Sequence, residues 1–437
     1  MSTEAITTVF GLSEISLRLL PFLAGCGALV LGAMAARKLF KAEIAQLVFL
    51  SILAFSPTLI HYSNETKQYS LEALVTVLVL WILASWNNGA KPWVYGILGF
   101  VATQFATTAI LALAVLALIL WFCLWRERRD TVDFFAAVTR TLPIPILWVA
   151  GAILQFLYVA TAGPSSAQTV RNFWARSGGF PPEGGAGIFF DWTLSGLKEL
   201  LWLSFGGAGT AVPGIDGPGN LALVLLIFSA LGLFSMNRAT TLGAGVIILS
   251  LLVATLGLYP FSSRLTIHLI PFVAAFAAQA VSRIASSSKV SLPRMGIVAG
   301  FAAVASPLVI SLVVFGRPVD NADMRWLIEE VGHRAEPADV VTSPDELIVS
   351  WYLDGSPELS SRYLTADRLM SNPELVREKV VWLISSHYGD EIIIATLGLS
   401  HETVCESVIQ GSRLKVLRPS NSGQATQDYC EFYAQKY

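Results

Sequence analysis

Trp93–Arg129, WVYGILGFVATQFATTAILALAVLALILWFCLWRERR, decides the fold. From Trp93 to Trp125 it holds no Asp, Glu, Lys or Arg. A bilayer core needs about 20 apolar residues of helix, so the run is either one overlong helix or two short limbs turning near Gln104–Thr108. Its basic end, Arg126, Arg128 and Arg129, chooses between them. Other apolar runs lie near 16–36, 44–60, 70–86, 141–161, 219–235, 240–257, 265–282 and 295–315. The loops 37–43, 87–92, 126–140, 236–239 and 283–294 carry 12 Lys and Arg, against five in the opposite loops 61–69, 162–218 and 258–264. Basic loops stay cytoplasmic. Only the hairpin keeps Arg126–Arg129 with the other basic loops. The reading is therefore about ten transmembrane helices, with both termini outside.

Composition agrees. The chain has 437 residues, 54% hydrophobic and 14% charged, against about 25% charged in soluble domains. Its charge is divided. Residues 318–437 hold 19 acids and 10 bases, while the remainder holds 12 acids and 19 bases. No strongly basic domain exists, so nucleic acid is not an expected partner. The expectation is an all-α polytopic membrane domain over 1–317 followed by a small α/β extracytoplasmic domain over 318–437. Within the latter, helices are expected at 322–334, 345–353, 366–379 and 390–410, with strands at 339–342, 380–384 and 413–417. Cys26 and Cys123 fall in apolar spans and read as small core residues. Cys405 and Cys430 fall in the C-terminal part. They can pair in an oxidising compartment or stay as thiols.

The first residues lack a basic, cleavable leader. The outer loop 162–218 is rich in Gly and Pro around Gly178–Gly185, and its segment 192–206 reads as an amphipathic, interfacial helix. Glu72 and Arg18 sit near span ends and read as reaching the interface.

No metal spacing, nucleophile elbow or phosphate loop is present; His61, His268, His333, His387 and His401 are scattered. What remains lies on the outer face. The loop Ser56–Tyr69 contains Glu65 and Lys67 beside the bilayer, where charge is expensive unless paired or wet. Lys67 can hold a lipid phosphate and Glu65 can orient it or bind a cation; a solvated turn is the other reading. The turn Leu258–Arg264 places Arg264 at a span start, and its planar fork suits phosphate oxygens. Snorkelling to the interface explains it equally.

Together, Phe10–Pro21, the Ser56–Tyr69 loop, Tyr259–Arg264 with Pro271, and Val380–His387 resemble the GT-C superfamily of membrane glycosyltransferases, in particular bacterial relatives of protein mannosyltransferases and aminoarabinose transferases. The resemblance implies sugar transfer from a polyprenyl-phosphate carrier to a glycan, lipid or protein acceptor at the outer face of the inner (plasma) membrane. It implies an acidic base, and in some members a divalent cation. Glu65, Lys67, Tyr69 and Arg264 match positions near the donor. Glu183, Asp191 and Asp216 are weaker outer-loop candidates. The family opens with one more span and an acidic first outer loop. Here only Met1–Val9 precedes the first motif, with Glu4 its one acid. The expectation is thus either a start upstream of Met1 or a chain lacking the base, and no base is assigned. A membrane protein without catalysis and a transporter of lipid-linked sugars are the other functions the sequence allows.

Overall fold

A computed structural model gives the fold. It describes chiefly residues 14–65, 67–86, 92–127, 131–160, 174–205, 237–286, 331–344, 357–385, 390–397, 401–409 and 412–420, with isolated positions elsewhere. The chain divides into two compact units, Met1–Gly316 and Arg317–Tyr437.

The first unit is helical: α1 (Glu14–Leu39), α2 (Glu43–Phe55), α3 (Pro57–Ser63), α4 (Tyr69–Ser85), α5 (Pro92–Phe105), α6 (Ala109–Glu127), α7 (Thr131–Thr141), α8 (Pro143–Ala160), α9 (Ala186–Phe205), α10 (Arg238–Thr255) and α11 (Ile270–Ala285), the last entered through a 3-10 turn, Ser263–Leu269. Among the described residues four helices are long and apolar enough to cross a membrane, or six if two bent pairs each make one span. Both bends precede a proline. Ser56 is extended before Pro57, and α2 and α3 meet at 49°; α7 and α8 meet at 41° just before Pro143. A residue ahead of proline is pushed out of the helical region, so these breaks are written locally. The apolar runs 219–235 and 295–315 lie largely outside the described residues.

The expected hairpin is visible as a break at Ala106–Thr108. Its direction follows from packing. A Cβ on Gly96 would meet Leu147, one on Gly99 would meet Trp148, and one on Gly151 would meet Thr103. Positions rise together on α5 and α8, so those helices run the same way. The helix between them, α6, must run back. In the same manner Lys38 at the end of α1 donates to Ser85 Oγ at the end of α4 (3.1 Å) and lies over Trp81. The C-terminal ends of α1 and α4 therefore share a side.

Helix α11 is the axis of the unit. Phe272, Val273, Ala274, Phe276 and Ala277 are all buried. A helix apolar all round belongs inside, and the small residues let neighbours close in: a Cβ on Gly243 of α10 would lie 2.8 Å from the Phe276 ring. The 3-10 turn places Arg264 at the entrance of this buried helix.

The second unit holds a four-stranded sheet, order β1-β2-β4-β3: β1 (Val340–Thr342), β2 (Val381–Ser385), β3 (His401–Ile409) and β4 (Ser412–Pro419). β1 and β2 are parallel, with Val341 opposite Trp382; β2–β4 and β4–β3 are antiparallel. Strand β2 is buried along its whole length. Trp382 and Ile384 face one apolar cluster with Val331 and Leu359; Val381 and Leu383 face another with Leu369 and Leu397. A central strand buried on both faces reads as a continuous apolar run, which is how 380–384 is written. Two expected helices are corrected. The helix over 366–379 stops at Ser371 and resumes as a 3-10 turn at Pro373. The helix over 390–410 ends at Leu397, and His401–Ile409 is an edge strand. Thr403, Val404 and Val408 are β-branched, and that propensity outweighs the helical spacing. The side chain of Cys405 and all of Cys430 lie outside the described residues. Cys26 is exposed and Cys123 half-buried, both as free thiols, so the core reading fails for Cys26.

Candidate functional site

Within the polar stretch Ser56–Tyr69, Pro57–Ser63 is helical, and Asn64, Glu65, Lys67 and Gln68 lie in the turn that follows. Ser70 Oγ donates to the Tyr62 carbonyl (2.7 Å), clamping α3 onto α4. This clamp sets Glu65 between His61 and Lys67. Its Oε1 lies 3.0 Å from His61 Nε2 and its Oε2 lies 3.2 Å from Lys67 Nζ. Burial pushes the Glu65 carboxyl up, but the His61 hydrogen bond and Lys67 outweigh it and hold the group below its ordinary range. Glu65 is thus a carboxylate, and the half-exposed Lys67 lies beside it.

Tyr62 and Tyr69 meet edge to face, with centroids 4.9 Å apart, and Arg264 interacts with the Tyr69 hydroxyl. The Arg264 guanidinium lies over the Trp174 ring, 5.5 Å from its centroid. Its Nε is buried with no acceptor, and among the described residues no carboxylate pairs with it. The structure therefore brings together all four residues expected near a donor, Glu65, Lys67, Tyr69 and Arg264.

The wall comes from the loop before α9. Phe261 N–H donates to the Gly179 carbonyl and Trp192 Nε1 to the Gly178 carbonyl, both at 2.8 Å. Gly178 has φ +74°, and a Cβ on Gly179 would sit 2.7 Å from Pro260. The paired glycines are what let this loop lie on the Tyr259–Arg264 turn and carry Trp174 over Arg264. Trp192 is buried against Phe261 rather than placed at an interface. Glu183 and Asp191 are exposed, and no hydrogen bond or ion pair joins them to the cluster. Asp216 and Glu4 lie outside the described residues.

Three further polar groups belong here. Glu72 is fully buried, not interfacial: α4 packs on the 3-10 turn, and this leaves no route to water. Gln68 Nε2 donates to its Oε1 (3.4 Å), while Oε2 has no partner. On that 3-10 turn, His268 Nδ1 faces the Leu265 carbonyl (3.0 Å) and Nε2 is buried without a partner. Tyr259 lies edge-on to His268 and its hydroxyl is driven well above its usual range by burial, then by Glu72 and Tyr69. Two signals were present in the sequence: Glu72 is the one acid inside an apolar run, and His268 stands one helical turn past Arg264.

His61 and Glu65 already bind each other and Lys67, and among the described residues no three His, Cys, Asp or Glu side chains gather. The chemistry on view is that of an anion site, with two cations, two phenols, and one carboxylate to order them.

No protein-family model and no curated protein matches the chain by sequence. Solved structures do. ArnT from Cupriavidus metallidurans in the apo state superposes with TM-score 0.50 at 13% identity, over 95% of this chain and 86% of that one. The same protein bound to undecaprenyl phosphate gives 0.51 at 12%, with the same coverage. An Archaeoglobus fulgidus oligosaccharyltransferase in the apo form gives 0.45 at 12%, over 88% and 60%. The likeness to the GT-C membrane glycosyltransferases drawn from the sequence holds as a shared fold.

Proposed function

We propose that the chain is a membrane glycosyltransferase that moves a sugar from a polyprenyl-phosphate donor to an acceptor at the outer face of the cytoplasmic membrane. In this reading residues 1–317 make ten spans and residues 318–437 stand outside. The carrying observation is Arg264, a half-buried guanidinium with no carboxylate partner among the described residues, which lies over Trp174 and against the Tyr62–Tyr69 pair. A desolvated cation without its counter-ion is costly. A phosphate monoester or diester bound there supplies the missing charge. Arg264 would hold two oxygens through its fork and Lys67 a third as a point charge. Glu65 keeps Lys67 in place. In the transfer step the acceptor hydroxyl oxygen bonds the anomeric carbon and its proton passes to a base for which no residue is assigned, while the carbon–oxygen bond to the carrier phosphate breaks and the phosphate leaves with the electron pair. Arg264 and Lys67 stabilise that developing charge, the larger requirement of such a step. The Glu65 carboxylate, hydrogen-bonded to His61 and paired with Lys67, is a poor proton acceptor and orients rather than abstracts. Undecaprenyl phosphate in the related ArnT structure supports this choice of carrier.

Membranes carrying the chain, given a radiolabelled polyprenyl-phosphate sugar, test the reading. Transfer should be lost in the triple variant Glu65→Ala, Lys67→Ala, Arg264→Ala. Undiminished transfer by that variant would remove this site from the reaction.

A further inference from the structure

A second cavity lies away from this site, between α6 and α10, with a volume of about 750 Å³. Its walls are written as stripes. On α6, Val115, Leu118, Phe122 and Arg126 fall at helical spacing on one side, the arrangement that puts residues three and four apart on one face. On α10 the facing stripe runs from Arg238 through Thr241 to Gly245. The helices touch where a Cβ on Gly245 would lie 2.6 Å from Val115, and the cavity extends from that contact to the two arginines. Eleven residues separate Val115 from Arg126, about 16 Å along a helix, close to half the roughly 30 Å hydrocarbon core.

The cavity is therefore apolar at depth and cationic at its mouth, one leaflet tall. Leu118 and Phe122 are 65% and 56% exposed, so its wall is open to whatever surrounds the helices. Arg126 and Arg238 belong to the basic loops that stay cytoplasmic. The mouth also receives the N-terminus of α10, whose dipole favours an anion. Its Asn237–Thr240 capping box is internally closed, and Arg126 and Arg238 line the mouth on either side.

We infer that this crevice binds one anionic phospholipid of the cytoplasmic leaflet, its phosphate between Arg126 and Arg238 and its acyl chains along Leu118 and Phe122. Basic pockets between spans on the cytoplasmic side recognise acidic headgroups in this way. The ligand is an amphiphile, since only a lipid satisfies the apolar wall and the cationic mouth together.

The test is native mass spectrometry of the full chain in detergent, titrated with phosphatidylglycerol or with phosphatidylcholine of the same acyl chains. Phosphatidylglycerol should be retained preferentially. The double variant Arg126→Gln, Arg238→Gln changes two exposed side chains and should weaken its retention roughly thirtyfold, without affecting phosphatidylcholine. A control double variant, Arg37→Gln, Arg140→Gln, removes equal charge from the same side and should retain phosphatidylglycerol as the parent does. Equal loss in the control would assign the effect to general surface charge and overturn the proposal. So would equal retention of the two lipids, or displacement of phosphatidylglycerol by equimolar glycerol phosphate.

Discussion

Replacing Arg264 should separate anion binding from packing. Arg264→Ala removes a half-buried guanidinium whose Nε has no acceptor and whose plane lies over Trp174. With no carboxylate partner to be orphaned among the described residues, the substitution leaves no uncompensated charge there, so the protein should fold. A bound phosphate would lose a charge-assisted hydrogen-bonding partner worth about 1.5–3 kcal/mol net. That corresponds to affinity weaker by roughly 10- to 150-fold. Arg264→Lys keeps the charge but loses the fork and part of the stacking on Trp174; a smaller loss of about fivefold, or ~1 kcal/mol, is expected. Trp174 reports the event, because phosphate entering beside Arg264 changes the charge held against the indole. Its fluorescence should shift on titration with undecaprenyl phosphate in detergent, and the shift should vanish in Trp174→Phe. The ordering parent, then Lys, then Ala is the signature. If Arg264→Ala binds undecaprenyl phosphate within threefold of the parent, Arg264 is a snorkelling interfacial residue and the donor site lies elsewhere.

Glu65 is held below its ordinary range by His61 and Lys67 against the opposing effect of burial. A depressed folded value means stability that is present above the unfolded carboxylate pKa of about 4.3 and lost as pH falls through the folded value. Glu65→Gln should therefore unfold at a lower midpoint than the parent at pH 7, with the gap closing in acid; a gap that widens in acid would contradict the assignment. Gly99→Ala would place a Cβ 1.9 Å from Trp148 Nε1, which is locked by donating to the Tyr95 carbonyl at 3.0 Å. Overpacking there should cost about 3 kcal/mol or prevent folding, read as a lower melting midpoint or lost expression, whereas Ala102→Gly on the same helix should be mild. In the second unit, Trp382 Nε1 donates to Asp339 Oδ2 at 2.9 Å in a fully buried setting. Trp382→Phe should destabilise by about 2–3 kcal/mol, seen by denaturant unfolding; an unchanged midpoint would show that Asp339 finds another donor.

How much of this was legible depended on where each signal resides. The apolar runs, the Ala106–Thr108 break and the buried strand at 380–384 are local patterns, and composition carries them directly. Strand β3 was missed because His401–Ile409 has no apolar alternation of its own; β4 supplies its ladder across a hairpin. Glu65, Lys67, Tyr69 and Arg264 were grouped by resemblance alone, since nothing local in the sequence joins them: Tyr69 and Arg264 are nearly two hundred positions apart and meet because α4 packs on the turn leading into α11. Glu72 shows the converse failure. A carboxylate three residues into a span reads as able to reach water, and only the packing of α4 on Ser263–Leu269 denies it. Its Oε2 and His268 Nε2 are left without partners on elements that touch. Buried atoms of that kind cost stability, and a bundle built for stability alone would carry leucine there. Both lie against the tyrosines of the site, since Glu72 acts on Tyr69 and Tyr259 and His268 meets the Tyr259 ring edge-on. A leucine at either position would relieve the buried polar atom, so Glu72→Leu and His268→Leu should each raise the melting midpoint if these groups serve something other than packing.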